Sequence, residues 1–337
     1  DLFRQYGMEP PPEEWTPEEF ERIGLEFTRR ANAGRARQEV FFAGAIPRML
    51  LPLARSMGGD VFNETLTAPR LTDEAFVRAL KLYHRWVAEL HLIPDAAEIA
   101  SESADGSSVN GQATPQLVAG RYGMIVSGRY VNMDLRRFRK GPVALSFSQF
   151  PEYGFKNLIL SSRNTAIYRG AKEKRYAEIF LLYLAGKEYN ELIINGSDGL
   201  PPNPKWAADN PDYHTPPGRE YEGNLHTNEL RWARTIAIPE SFSPYYPLAD
   251  NRIEDAYNRV ANNLCTPEKA LEIADRSIAH SIRETVEGTP SLRERYRQAC
   301  ELQKKIDERK AAGRKIPAAW ISNPFHLKYY GDAGRLE

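Results

Sequence analysis

The chain has 337 residues, 45 basic and 45 acidic side chains, and a 42% hydrophobic share. That length suits one large or two ordinary domains with a sizeable core, and the balanced charge argues against nucleic-acid binding, which draws on a basic excess. The longest apolar block, Ile179 to Gly186, is far shorter than the roughly eighteen residues of a membrane-crossing helix.

The chain opens Asp1-Leu2-Phe3-Arg4, without the charged and apolar regions of a secretory leader, so a leader was either removed or lies outside this sequence. Thr16, Pro17 and Glu19 form a capping-box start, and Phe20, Ile23 and Phe27 recur at helical spacing until Gly34. QEVFFAG (38–44) reads as a short buried strand. Thr72 is the predicted N-cap of a second helix that ends at Pro94. The segment 101–115 is small and polar, a loop by composition. Three more strand-like runs follow, at 122–128, 143–150 and 157–163. The stretch 195–247 is rich in Pro, Gly and aromatics and predicts few long elements. Thr266 starts another capped helix, Leu292–Gly313 reads as a charge-laced amphipathic helix, and an aromatic, irregular tail closes the chain. Helices alternating with short buried strands place the chain in the α/β class.

Catalytic templates are missing from the sequence. Ser127 lacks the flanking glycines of a nucleophile elbow, and Gly58-Gly59 is not followed by the Gly-Lys-Ser/Thr of a phosphate loop. His84 and His91 lie seven residues apart, too far for a shared metal on one helix. The histidines therefore read as surface residues, and no metal or cofactor is expected. Cys265 and Cys300 have no metal spacing and read as two buried or half-buried thiols, with a disulfide open if the protein is exported. Carboxylates are plentiful, and sequence alone neither supports nor excludes a glycosidase pair.

Five stretches, taken in order over Asp1 to Ile282, carry a resemblance. They are DLFRQYGMEPPPEEWTPEEFERIGLEF, MGGDVFNE, LVAGRYGMIVSGRYVN, NLILSSRNTAIYRGAKEKRYAEIFLLYLAGKEYNELI and TPEKALEIADRSIAHSI. Together they resemble the extracellular solute-binding proteins of ABC importers, in the carbohydrate-binding, maltose-binding-protein-like branch. The resemblance implies a periplasmic-binding-protein-like (type II) two-lobe α/β fold and capture of a sugar by hinge closure, without catalysis. It implies an importer permease as partner and a periplasmic or extracellular location, with membrane association through a partner or a removed N-terminal signal. By position it divides the chain into a second-lobe region (1–155), a crossover to the first lobe (156–195), a remainder of mainly second-lobe helices (196–285) and a C-terminal helical extension and tail (286–337).

The same resemblance nominates ligand contacts. Tyr130 stands where the family places an aromatic that stacks on a sugar ring, usually Trp; its competing reading is a packing aromatic at a helix start. Arg129 beside it either points away or binds a hydroxyl or an acidic sugar. Phe42, with Phe41, lies where a cleft aromatic is frequent, against strand core as the alternative. Asp60 is an acceptor for hydroxyls or a solvated turn residue. Tyr153 and Phe155 flank Gly154 where the chain crosses between lobes, and Tyr245 and Tyr246 fall in a late Pro-rich segment that often reaches the site. Trp15 reads as a helix staple; Trp206 and Trp232 have no family counterpart.

Two departures shape the expectation. The family's opening strands and helices, about the first third, have no counterpart here, so the N-terminal lobe is incomplete and a further segment or separate polypeptide would supply it. The part after Ile282 extends past the family's usual end, as a solvent-facing helix or as a connector toward a membrane partner. Weak sugar binding by this chain alone follows, together with more exposed apolar surface than a monomer normally carries. The competing functions are a secreted carbohydrate-active hydrolase using a carboxylate pair, and an interaction module that kept the fold and lost the ligand.

Overall fold

The computed structural model describes the chain apart from residues 45–48, 103–112, 137–143, 162–163, 197–198, 202, 204 and 247–248. Its first half runs through α1 (Leu2–Gln5), α2 (Pro17–Ala31), β1 (Phe41–Ala43), α3 (Leu50–Ser56), α4 (Glu74–His84), α5 (Ala96–Glu102), α6 (Ala113–Val118), β2 (Tyr122–Met124), α7 (Val131–Leu135) and β3 (Leu158–Leu160). Its second half runs through α8 (Lys174–Ala185), α9 (Lys187–Gly196), α10 (Lys205–Ala208), α11 (Pro211–His214), α12 (Leu225–Thr235), β4 (Ala237–Pro239), α13 (Ala249–Ala261), α14 (Pro267–Gly288), α15 (Pro290–Ala311) and α16 (Pro324–Asp332).

Helix starts follow the cap chemistry. At α2 the Glu19 amide donates to Thr16 Oγ1 at 3.2 Å and the Thr16 amide donates to the Glu19 carboxylate at 2.9 Å. Trp15 meets Phe20 at 5.3 Å between ring centroids, the staple that fixes the entry of the chain. At α14 the Lys269 amide donates to Thr266 Oγ1 at 3.3 Å. The expectation fails by one residue at α4, where Asp73 rather than Thr72 is the N-cap. The Asp73 carboxylate accepts from Arg70 Nε at 3.0 Å and makes no cap bond.

The main core draws on residues 3–93 and again on 245–286. Its aromatic centre stacks Phe20 on Trp86 at 4.2 Å, with Phe42 edge-on to Phe20 at 4.9 Å. β1 pairs with β2 in parallel, Phe41 opposite Tyr122 and Ala43 opposite Met124. Gly123 is needed in this pair, since a Cβ there would lie 2.8 Å from Phe27 Cζ and 2.9 Å from the Phe42 carbonyl oxygen. The predicted strand at 143–150 is not a strand among its described residues, 144–150. Its backbone makes single links instead, the Gln149 amide donating to the Glu13 carbonyl at 2.8 Å and the Leu145 amide to the Tyr221 carbonyl at 3.3 Å. Most of the loop expected at 101–115 lies outside the described residues.

The chain leaves the main core through β3 and returns through β4, and these two strands are parallel partners, Leu158 opposite Ala237. Between them a smaller cluster forms around Ile194, Ala207, Tyr213 and Leu230. Within 196–285, Ala207, Tyr213 and Leu230 cluster with Ile194 of α9, whereas α13 and α14 join the main core. Side chains decide this, because Leu271, Ala274, Ile278 and Ile282 form the buried face of α14. None of the residues of α8 is buried; Tyr176, Ile179, Phe180, Leu182 and Tyr183 are all exposed.

The tail is not irregular throughout. Asn323 caps α16 by accepting from the Phe325 amide at 2.9 Å, and Ile306, Ile316, Ile321 and Tyr330 make a third cluster with α15. Glu64 ties this segment to the main core, accepting from Gln303 Nε2 at 2.7 Å, Lys310 Nζ at 2.6 Å and the Tyr330 hydroxyl at 2.7 Å. No described helix is long and apolar enough to cross a membrane. Cys265 and Cys300 are half-buried free thiols.

Candidate functional site

Tyr130 sits at the N-cap of α7, past the end of β2 at Met124, and is 44% exposed. Gly128 makes that position possible: a Cβ there would stand 2.9 Å from Tyr130 Cε1, so only glycine lets the ring lie over the backbone. Tyr130 thus presents an exposed aromatic ring whose one edge lies close to the Gly128 backbone.

Arg129, the preceding residue, points the other way and is buried. Its guanidinium donates to His226 Nδ1 from Nε at 3.2 Å, pairs with Glu229 Oε2 at 3.2 Å and lies over the Tyr213 ring at 4.7 Å. It also donates to the Gly199 carbonyl. A guanidinium has no acceptor, so His226 Nδ1 is the acceptor and its Nε2–H donates to Glu222 Oε2 at 2.7 Å. Glu222 also takes a two-pronged contact from Arg136, at 2.7 Å and 2.8 Å. Burial works against the Glu222 carboxylate, but His226 and Arg136 outweigh it and bring it down to about 2. Burial also keeps His226 below its usual range. Burial lifts Glu229 to about 7 against the pull of Arg129.

Tyr153 is 38% exposed, with Arg78 over its ring at 5.4 Å. Burial and nearby Glu18 raise its hydroxyl above the usual tyrosine range. The next residue, Gly154, has φ +121, a backbone position closed to most side chains. Tyr246 is half-buried against the main core, its amide donating to the Ser243 carbonyl at 3.2 Å.

Four nominated residues are placed elsewhere. Phe42 is wholly buried among Phe20, Phe27 and Trp15, so its strand-core reading holds and a cleft role does not; its neighbour Phe41 is buried too. Asp60 is buried in an ion pair with Arg55 Nε at 2.7 Å and accepts from Asn323 Nδ2 at 2.8 Å, which leaves it no free face for a hydroxyl. Tyr245 is buried edge-on to Tyr296 of α15 at 4.9 Å. Phe155 packs edge-on against Phe325 and Tyr329 of α16, at 5.7 Å and 5.0 Å. Asp60, Phe155 and Tyr245 thus share one face, and the C-terminal segment covers it. The residues missed were Tyr213, Glu222, His226 and Glu229. His226 was read as a surface histidine, yet it is fully buried, and His326 is buried as well. The i,i+4 spacing of Glu222 and His226 was the available signal.

No family model matches the sequence, and no curated protein matches it. Solved structures do match the fold. An ABC substrate-binding protein from Listeria monocytogenes, in complex with cycloalternan, is similar at 19% identity and a TM-score of 0.58, over 84% of this chain and 67% of its own. An ABC transporter solute-binding protein from Thermotoga lettingae, bound with alpha-D-tagatose, is similar at 14% identity and a TM-score of 0.62, over 83% and 68%. The sugar-binding protein MalE from Xanthomonas citri is similar at 14% identity and a TM-score of 0.60, over 84% and 67%. About a third of each of these chains has no counterpart here.

Proposed function

We propose that this chain, which has the α/β two-lobe fold of the sugar-binding proteins of ABC importers, captures a carbohydrate outside the cytoplasm and presents it to an importer permease. The observation that carries the reading is the fold shared over most of the chain with proteins solved holding sugars. Fold alone does not fix function, and the exposed ring of Tyr130 adds a surface of the right chemistry. Its flat face suits the apolar side of a pyranose. The β3–β4 pair, where the chain leaves and re-enters the main core, is the hinge about which the two units close on ligand. Tyr153 and Tyr246 are the further aromatic contacts. The activity is capture without catalysis.

The exposed face of α8 is the docking surface of the lobe this sequence lacks. Ile179, Phe180 and Leu182 are too apolar to face water as a group. β3 and β4 make a two-stranded parallel sheet, a form that normally belongs to a larger, covered sheet. A further polypeptide segment, matching the uncovered third of the neighbours, would pack on α8 and extend that sheet.

With half a cleft, affinity is expected in the millimolar range, about 4 kcal/mol. Saturation-transfer NMR with a panel of mono- and oligosaccharides detects such binding. Transfer to sugar C–H protons that vanishes in Tyr130→Ala supports the reading. Absence of transfer from every sugar tested overturns it for this chain.

A further inference from the structure

The unit built around Ile194, Ala207, Tyr213 and Leu230 is attached to the main core by the adjacent strands β3 and β4 and, at the rim of α12, by Glu13, which accepts from Trp232 Nε1 at 3.1 Å and pairs with Arg231. A unit hung on two neighbouring strands is free to swing unless something else holds it. Two arginines beside Tyr130 reach into it. Arg129 ends on His226, Glu229, Tyr213 and the Gly199 carbonyl. Arg136 ends on both oxygens of Glu222 and on the Gly196 carbonyl at 3.1 Å. His226 joins the two arms, accepting from Arg129 and donating to Glu222, so the groups form one chain: Arg129, His226, Glu222, Arg136.

We propose that Arg129 and Arg136 are positioning residues that latch the main core to the hinged unit and so set where Tyr130 stands relative to it. The inference rests on the two-unit binding reading above and assigns the arginines no contact with ligand. Three features support a latch over ordinary surface pairing. The partners Glu222 and His226 are buried, where ion pairs and hydrogen bonds act at low dielectric and their loss is costly. The contacts are forked, which fixes orientation as well as distance. Both arginines flank the ring whose position matters, Arg129 immediately before Tyr130 and Arg136 just after α7. Latch and hinge therefore divide the work: β3–β4 sets the axis, and the arginine arms set the angle.

The test needs no sugar, so its outcome is separate from that of the binding assay. In a Cys265→Ser, Cys300→Ser background, spin labels are placed through Leu25→Cys on α2 and Leu192→Cys on α9, both exposed positions. Pulsed dipolar spectroscopy then reads the distance between the units. The parent is expected to give one narrow distance. Arg136→Gln and Glu222→Gln are each expected to add a longer, broader population, with roughly hundredfold faster amide exchange at 222–229 and unchanged protection in α14. The Arg136→Gln, Glu222→Gln double variant should open the units no further than Glu222→Gln alone, because Glu222 is the partner that Arg136 loses in either case. A distance distribution unchanged in Arg136→Gln and in Arg129→Gln overturns the proposal, as does opening that is additive in the double variant. A variant that fails to fold loses α14 protection as well, and Arg136→Lys then replaces it: keeping the charge without the fork predicts partial opening, and parent-like distances would count against the latch.

Discussion

Replacing Asp60 by alanine separates a structural role from a ligand role most sharply. Asp60 is 1% exposed and its carboxylate holds Arg55, itself wholly buried, at 2.7 Å. The remaining Arg55 contacts are neutral acceptors, the Pro239 carbonyl and the Ser241 hydroxyl at 3.1 Å each and the Ile238 carbonyl at 3.5 Å, plus the Phe325 ring at 5.3 Å. Asp60→Ala would leave a buried guanidinium with no counter-charge, which costs about 3–5 kcal/mol. At roughly 2–4 °C per kcal/mol for a unit of this size, the melting midpoint should fall by roughly 6–20 °C. Asn323 keeps its 2.9 Å bond to the Phe62 carbonyl, so the cap of α16 should persist. Thermal unfolding followed by circular dichroism at neutral pH measures the loss. The double variant Arg55→Met, Asp60→Leu should recover most of it, since well-packed apolar residues can replace a buried pair. A midpoint within about 2 °C of the parent for Asp60→Ala, alongside a loss of sugar binding, would refute this reasoning and restore Asp60 to the cleft.

Three further outcomes follow from the same geometry. Phe180→Glu combined with Leu182→Lys should lower self-association in light scattering without lowering the melting midpoint, because both side chains are exposed; a lower midpoint would mean that α8 is already covered within this chain. Burial works against the Glu64 carboxylate, yet His326, Lys310 and Tyr330 outweigh it and bring it from 4.5 to about 2. A carboxylate depressed in this way stabilises fully above the higher value and loses its effect as pH falls through the lower one, on the order of 3 kcal/mol. Protection factors of the α15 and α16 amides, taken relative to intrinsic exchange at each pH, should therefore fall as pH drops through that window, and Glu64→Gln should remove the dependence while loosening both helices at neutral pH. Gly123→Ala should cost about 1–3 kcal/mol in urea unfolding, since the added methyl meets the Phe42 carbonyl oxygen at 2.9 Å; a neutral result would show that β1 and β2 can part.

Contacts between residues close in the chain made several helix starts and the order of elements legible in the sequence. The caps at Thr16 and Thr266 were legible because a cap is a contact between residues three apart, and α2 and α14 start where those letters stand. The strands at β1, β2 and β3 were legible as short apolar runs, whereas the run at 143–150 looked the same and its described residues, 144–150, form no strand, because pairing is a property of two segments. The same limit governed the site. Tyr130 is nominated only through the family resemblance, which places an aromatic two residues after Gly128. Long-range packing sets Asp60 against Arg55 and Asn323, Tyr245 under α15, and His226 in a buried place between Arg129 and Glu222. A charged or aromatic letter carries no record of what will cover it; burial depends on chain more than two hundred residues away, as when Asn323 reaches Asp60.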